Sequence, residues 1–361
     1  MAIENKLIEH FKARNWNDEA ITRESLYKTN FAGDNFNLSI SNNPINFKTE
    51  HIVIKNPYFS TKLNNSQEEN EYTRNFPSSF SVIYQDNLIA LFENGKFVCI
   101  ELNTLNRNLA LEEQLNTRKF SYHWIIDHKL IAQGGNKKMF WNGKKWEKYK
   151  EKLPLKNQPI LFDDKDFIVY RACHGEWGGT IYFYEKSTGK TYFTASTCAN
   201  TVSKTDEGYQ VLAHLGHMFG VSEIKLIPDP RKLTETKSYG TNKIVNGQAL
   251  GYTDKSNAFI NKLDLYGIQL FSSFTFEGKE LFIVHIEDLT FLAKIHNNEV
   301  ELVHPLFFND LYTHQPITTK FGTYTLVNID HYGTGLYRET STLILHKNTI
   351  KKIDWNENHN R

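Results

Sequence analysis

The stretch Asn87–Ile100 has the sequence NLIALFENGKFVCI, in which two apolar runs flank an Asn-Gly turn. Both central positions of such a turn tolerate positive φ, so the pattern predicts a β-hairpin. Similar pairs of apolar runs recur along the chain, and the six starting residues are Leu88, Leu130, Phe167, Tyr209, Leu281 and Tyr324. The hairpin is therefore one copy of a repeated unit.

Successive units begin 42, 37, 42, 72 and 43 residues apart. A period near 40 residues in strand-rich sequence is typical of a β-propeller, in which each repeat forms one four-stranded blade. We therefore predict an all-β propeller. Seven blades are favoured, because residues 236–266 have the length of one more blade, and six or eight are the alternatives. The strand-like run Glu50–Ile54 adds a further blade or pairs with C-terminal strands.

The chain has 361 residues, of which 40% are hydrophobic and 14% aromatic, so it can bury a large core made of strands. Ile3, Leu7, Ile8 and Phe11 fall at helical spacing and predict a short N-terminal helix over residues 2–14. We expect residues 1–45 to form this helix and an extended arm packed on the ring. Residues 46–361 are then a single propeller domain.

Charge and composition exclude several classes of partner. Lys and Arg number 42 against 41 Asp and Glu, and this balance lacks the concentrated positive field that nucleic-acid binding needs. We find neither a long apolar segment nor an N-terminal signal pattern, which predicts a cytoplasmic protein that does not contact a membrane. We expect a monomer.

The chain has three cysteines, Cys99, Cys173 and Cys198, and so small and odd a number does not predict a disulfide framework. Cys173 is predicted to be a small packed residue. A thiolate–imidazole pair with the adjacent His174 is disfavoured, because neighbouring residues on a strand point to opposite faces.

Aligning the units on the second strand of each blade, strand b, brings several polar residues to one position near the loop between strands b and c. His174 and His331 lie seven residues after the start of their units, as does Asp288, and His217 lies eight after the start of its unit. His214 has the strand parity of His174 and is the alternative to His217. Loops between strands b and c lie at the mouth of the ring, where propellers usually bind ligands.

Two functions fit these loops. The first is a binding scaffold for a protein partner or a small polar ligand, with Trp177, Phe219 and Tyr332 as rigid contact aromatics. The second is a metal-dependent lyase or hydrolase that acts on a polar substrate such as a saccharide. In that case His174, His214 or His217, and His331 would bind a divalent metal, and Glu176 or Asp288 would act as base. A structural or solvent-facing role of the histidines is the alternative to both functions. No cofactor other than this metal is indicated.

Overall fold

The computed structural model describes residues 2–14, 21–31, 34–58, 77–216, 220–236, 258–286, 289–308, 315–332 and 338–355. These residues form six β-sheets and two α-helices, arranged as a β-propeller. None of the helices in these parts of the chain has the length and apolar character needed to cross a bilayer.

The chain begins with the N-terminal helix that the sequence predicts. The elements of this segment are α1 (Ala2–Arg14), β1 (Tyr27–Phe31), β2 (Asp34–Ile40) and β3 (Lys48–Val53). Leu7 and Phe11 of α1 are buried in a cluster that also contains Leu26. Helical spacing of these two side chains places both on the buried face of α1, which holds the helix on the ring.

The first two blades are simple hairpin units. Blade I contains β4 (Val82–Tyr84), β5 (Asn87–Leu91) and β6 (Phe97–Glu101), and blade II contains β7 (Tyr122–Ile126), β8 (Lys129–Gly134), β9 (Lys137–Trp141) and β10 (Trp146–Lys148). Helix α2 (Leu109–Leu115) covers the outer edge of β6, where the buried Glu112 carboxylate accepts from the Cys99 backbone N–H at 3.1 Å. This helix takes the place of a fourth strand in blade I.

Blades III and IV share an interruption. Blade III contains β11 (Ile160–Asp163), β12 (Phe167–Cys173), β13 (Gly179–Glu185) and β14 (Thr191–Ala195), and blade IV contains β15 (Ala199–Thr205), β16 (Gly208–Leu215) and β17 (Val221–Ile227). The chain then returns to blade III as β18 (Thr234–Thr236), which pairs with β14. It completes blade IV as β19 (Ile260–Tyr266), which pairs with β17.

The last two blades each receive N-terminal strands. Blade V contains β20 (Gln269–Phe276), β21 (Lys279–Ile286), β22 (Leu289–His296) and β23 (Glu299–Phe308), and blade VI contains β24 (Ile317–Phe321), β25 (Tyr324–Tyr332), β26 (Arg338–His346) and β27 (Thr349–Asp354). Strand β2 pairs in parallel with β23, and β3 pairs in parallel with β27. Residues of the predicted N-terminal arm thus extend blade V, and the domain boundary at residue 45 stays a prediction.

The described residues contain six blades, one fewer than the seven that the sequence favours and the lowest of the three counts that it leaves open. The described residues of the segment 236–266 belong to other blades, because β18 and β19 complete the edges of blades III and IV; residues 237–257 lie outside the described residues. The predicted pairing of the run around Ile52 with C-terminal strands is confirmed by β3. The spacing of 72 residues therefore reflects an insertion within blade IV, between β17 and β19.

Six buried clusters lie one between each pair of neighbouring blades and account for the closed ring. The ring closes where Leu326 and Trp355 of blade VI meet Ala90 and Phe92 of blade I. Each sheet buries both faces against its neighbours, which is how a propeller protects its strands from solvent.

Strand β24 leans across the axis of the ring. The Thr319 hydroxyl donates to the Ile160 carbonyl of blade III at 3.2 Å, and the Thr318 hydroxyl donates to Ser272 of blade V at 2.8 Å. These bonds close the axis beside blades III to V.

We call the end of the ring that carries the b–c loops the b–c end, and the opposite end, which carries turns such as Asp127–His128, the a–b end.

Candidate functional site at the b–c end

The b–c loop of blade III is a closed turn at the end of β12. The His174 N–H donates to the Gly178 carbonyl at 2.8 Å, and residues Gly175–Trp177 form one turn of 3₁₀ helix. Gly178 has a φ of +86°, a conformation that favours glycine. These backbone bonds and the positive φ of Gly178 fix the shape of the loop.

A disulfide between Cys173 and Cys198 ties this loop to blade IV. The prediction that Cys173 is an unbridged packed residue is wrong, because the end of β12 and the start of β15 lie side by side, with the two Cα atoms 4.6 Å apart. Cys99, the third cysteine, is free and buried in β6. Cys173 therefore has no thiolate to pair with His174.

Trp177 lies at the tip of this loop with 56% of its surface exposed. Glu176, the adjacent candidate base, is also exposed. The other predicted contact aromatics are less well defined: Phe219 lies outside the described residues, and only the backbone of Tyr332 is described, at the end of β25.

The predicted histidines have different surroundings. His214 is buried, and its Nδ1 accepts from the Asn200 amide at 3.1 Å while its ring packs on Phe271. His174 is half-buried, and no described residue forms a hydrogen bond with its Nε2. His331 lies near the end of β25, where only its backbone is described.

His217 and Asp288 fall outside the described residues. Within the described parts of the chain, no group of three or more histidine, cysteine, aspartate or glutamate side chains is arranged to hold a metal. The backbone places His174, His214 and His331 at the b–c ends of their strands. The metal-dependent enzyme stays a prediction, since two of its four candidate ligands lack described side chains.

A cavity of about 210 Å³ opens at the b–c end between blades VI, I and II, and we call it the upper cavity. Its lining includes polar groups from Ser78, Ser79, Tyr122, Asn157, Asn328, Ser341, Thr342 and Trp355. A second cavity of about 290 Å³, the central cavity, extends from Tyr122 towards His128 at the a–b end. Phe80 and Tyr122 line both cavities and separate them.

Tyr122 and Arg171 are buried beside the upper cavity. Burial raises the pKa of the Tyr122 phenol and lowers the pKa of the Arg171 guanidinium to about 9. Arg171 is 2% exposed, and its Nη1 has no hydrogen-bond partner among the residues that the structure describes. Sequence reasoning missed both residues. The available signal was a charge within the otherwise apolar strand Phe167–Cys173.

A groove of about 400 Å³ lies between blades IV and V towards the a–b end. Two of its charged groups have partners there, since Lys262 contacts Glu207 at 3.2 Å and Glu280 accepts from Gln210 at 2.6 Å.

No family model matches this sequence, and no curated protein matches it. Among solved structures, the chain is similar to the N-terminal domain of Nup159, with 10% identity, 86% of each chain covered and a TM-score of 0.36. It is also similar to the AfRom2 CNH domain, with 11% identity, 73% of this chain and 89% of that chain covered and a TM-score of 0.33. We draw no family and no function from these likenesses.

Proposed function

We propose that this chain is a binding scaffold that holds a partner protein against the b–c end of its ring. The observation that carries the proposal is the exposure of Trp177. Among the five tryptophans that the structure describes, Trp124, Trp141, Trp146 and Trp355 are buried, whereas Trp177 is 56% exposed. Exposed tryptophan is characteristic of protein-binding surfaces, because the ring buries a large area with few rotatable bonds.

The loop that carries Trp177 is held in shape before any partner binds. Its ends are joined by the His174–Gly178 backbone bond, and the Cys173–Cys198 disulfide anchors its base. A rigid loop loses little conformational entropy on association, so more of the contact energy is expressed as affinity. Phe219 and Tyr332 are proposed as further contacts on the same end.

The disulfide also bears on where the scaffold works. Disulfides persist in oxidising environments and are rare in the cytosol, where thiols are kept reduced. The cytoplasmic location stays a prediction, and the Cys173–Cys198 bond favours an oxidising compartment over it.

Photo-crosslinking tests the proposal. Trp177 is replaced by p-benzoylphenylalanine, and a matched control carries the same group at Leu109, which is 62% exposed on α2 and lies away from the b–c loops. In an extract of the source cells, we expect a discrete adduct from position 177 that excess unmodified protein suppresses and the Trp177→Ala protein does not. Identical adducts from both positions, or equal suppression by the Trp177→Ala protein, would contradict the scaffold proposal.

A further inference from the structure

The upper cavity has two kinds of polar wall. The Ser79 hydroxyl bonds His123 Nδ1 at 2.7 Å, Asn328 exchanges two bonds with the Ser81 backbone at 3.1 and 3.0 Å, and Ser341 bonds Asp354. These groups are satisfied within the protein and serve to shape the wall.

Two other polar atoms of the lining are not satisfied. Tyr122 is 6% exposed and Trp355 is 0% exposed, yet within the described parts of the chain neither the Tyr122 hydroxyl nor the Trp355 indole N–H has a hydrogen-bond partner. Buried polar groups in native proteins are almost always hydrogen-bonded. Because an indole N–H only donates, the Trp355 N–H needs an acceptor that the described side chains do not supply.

Arg171 adds a positive charge next to this cavity. Tyr170 pairs with Ile160 at the start of β11, so Arg171, the next residue of β12, lies near the segment that carries Asn157 of the cavity wall, although Arg171 does not itself line the cavity. The Tyr122 phenol lies close enough to Arg171 to interact with it electrostatically. Among the described residues, Arg171 has neither a carboxylate partner nor a hydrogen bond from its buried Nη1. A buried guanidinium without a counter-charge is strongly disfavoured, which indicates that an anion belongs beside it.

We propose that the upper cavity binds a carboxylate, which accepts hydrogen bonds from the Tyr122 hydroxyl and the Trp355 indole N–H and is neutralised by Arg171. The ligand must be an acceptor, because the guanidinium and the indole only donate. The single positive charge matches a monoanion, which favours a carboxylate over a doubly charged phosphate. This site does not depend on partner binding at Trp177.

The indole resonances in a ¹⁵N–¹H spectrum of the full chain give a direct readout, since Trp355→Phe identifies the Trp355 signal. Acetate, succinate, triglycine, triglycine amide and inorganic phosphate are titrated at constant ionic strength. We expect at least one carboxylate to shift the Trp355 signal saturably. Binding should weaken at least tenfold in Arg171→Met and severalfold in Tyr122→Phe, because each variant removes a donor.

The arms of the titration separate the sources of the carboxylate. Binding of triglycine but not of its amide identifies a peptide C-terminus, and binding of acetate or succinate without triglycine identifies a small molecule; both outcomes support the proposal. Arg118→Met, at an exposed arginine, is the control for loss of charge. Trp177→Ala should keep the carboxylate effect, so failure of the scaffold proposal and failure of this one are distinguishable.

Three results would overturn the carboxylate site. These are a Trp355 signal that no carboxylate shifts saturably, phosphate binding tighter than any carboxylate, and equal binding by wild type, Arg171→Met and Tyr122→Phe. In the first case the cavity holds only water.

Discussion

Replacing Arg171 by Met should stabilise the ligand-free protein. Burial penalises the charged form of the guanidinium and lowers its pKa from the ordinary value to about 9, and among the described residues no carboxylate offsets this penalty. A fall of this size corresponds to about 5 kcal/mol of destabilisation of the charged form. Methionine keeps most of the side-chain length and removes the charge. Since some packing and hydration are lost with it, we expect a net gain of about 2–4 kcal/mol in the free energy of unfolding.

Urea denaturation of protein dialysed into carboxylate-free buffer measures this gain, with Arg118→Met as the exposed control, which should change the free energy by less than about 0.5 kcal/mol. The sign with pH follows from the lowered pKa. Below about pH 9, Arg171 is charged in both the folded and unfolded states, so the penalty is fully present. Above that pH the folded state releases its proton first, the wild type recovers stability, and the difference from Arg171→Met shrinks. A variant that is less stable than wild type at pH 7 would refute the assignment of Arg171 as an unpaired buried charge.

Three further predictions concern the scaffold around the site. Burial lowers the pKa of His123 to about 4, so the stability that the neutral imidazole contributes is complete above pH 6.5 and is lost as the pH falls towards 4. The free energy of unfolding of His123→Gln, measured between pH 7 and pH 4, should therefore fall by less than that of the wild type. Gly220→Ala should lower the stability measured by thermal denaturation by about 1–2 kcal/mol, because φ is +81° and the new Cβ would lie 2.7 Å from Gln269. The control Gly135→Ala, with φ of +59° and open space around it, should lower the stability by less. Removing the Cys173–Cys198 disulfide, which spans 25 residues, should lower the free energy of unfolding by about 3 kcal/mol. Alkylation of unreduced, unfolded protein should label one cysteine only, and labelling of all three would exclude the bond.

Local sequence patterns carried much of the fold. Alternating apolar residues and tight turns, as in Asn87–Ile100, specify each hairpin through contacts within about 15 residues, which periodicity detects well. The spacing of Leu7 and Phe11 likewise specified α1. The blade count depended on pairings that no local pattern contains, because the strand Ile260–Tyr266 belongs with β17 across an insertion.

The site was less predictable. Register alone brought His174 and Trp177 to the b–c end, since both follow β12. The upper cavity, in contrast, combines Tyr122 with Trp355, residues that are far apart in sequence and meet only when the ring closes. The Cys173–Cys198 contact has the same origin, because it joins the ends of strands in neighbouring blades.

The pairing of N-terminal strands with the last two blades sets the order in which the fold assembles during synthesis. Lys48 of β3 pairs with Thr349 of β27, so β3 leaves the ribosome long before its partner exists. At roughly 5–20 residues per second, about 300 intervening residues correspond to a wait of about 15–60 s. During that time β3 is an unpaired edge, and its charged residues Lys48 and Glu50 discourage pairing with other chains. Strand β2 can dock once β23 of blade V has been made, but β3 must stay unassembled until β27 of blade VI emerges, so the docking of a strand made about 300 residues earlier is a late step of folding.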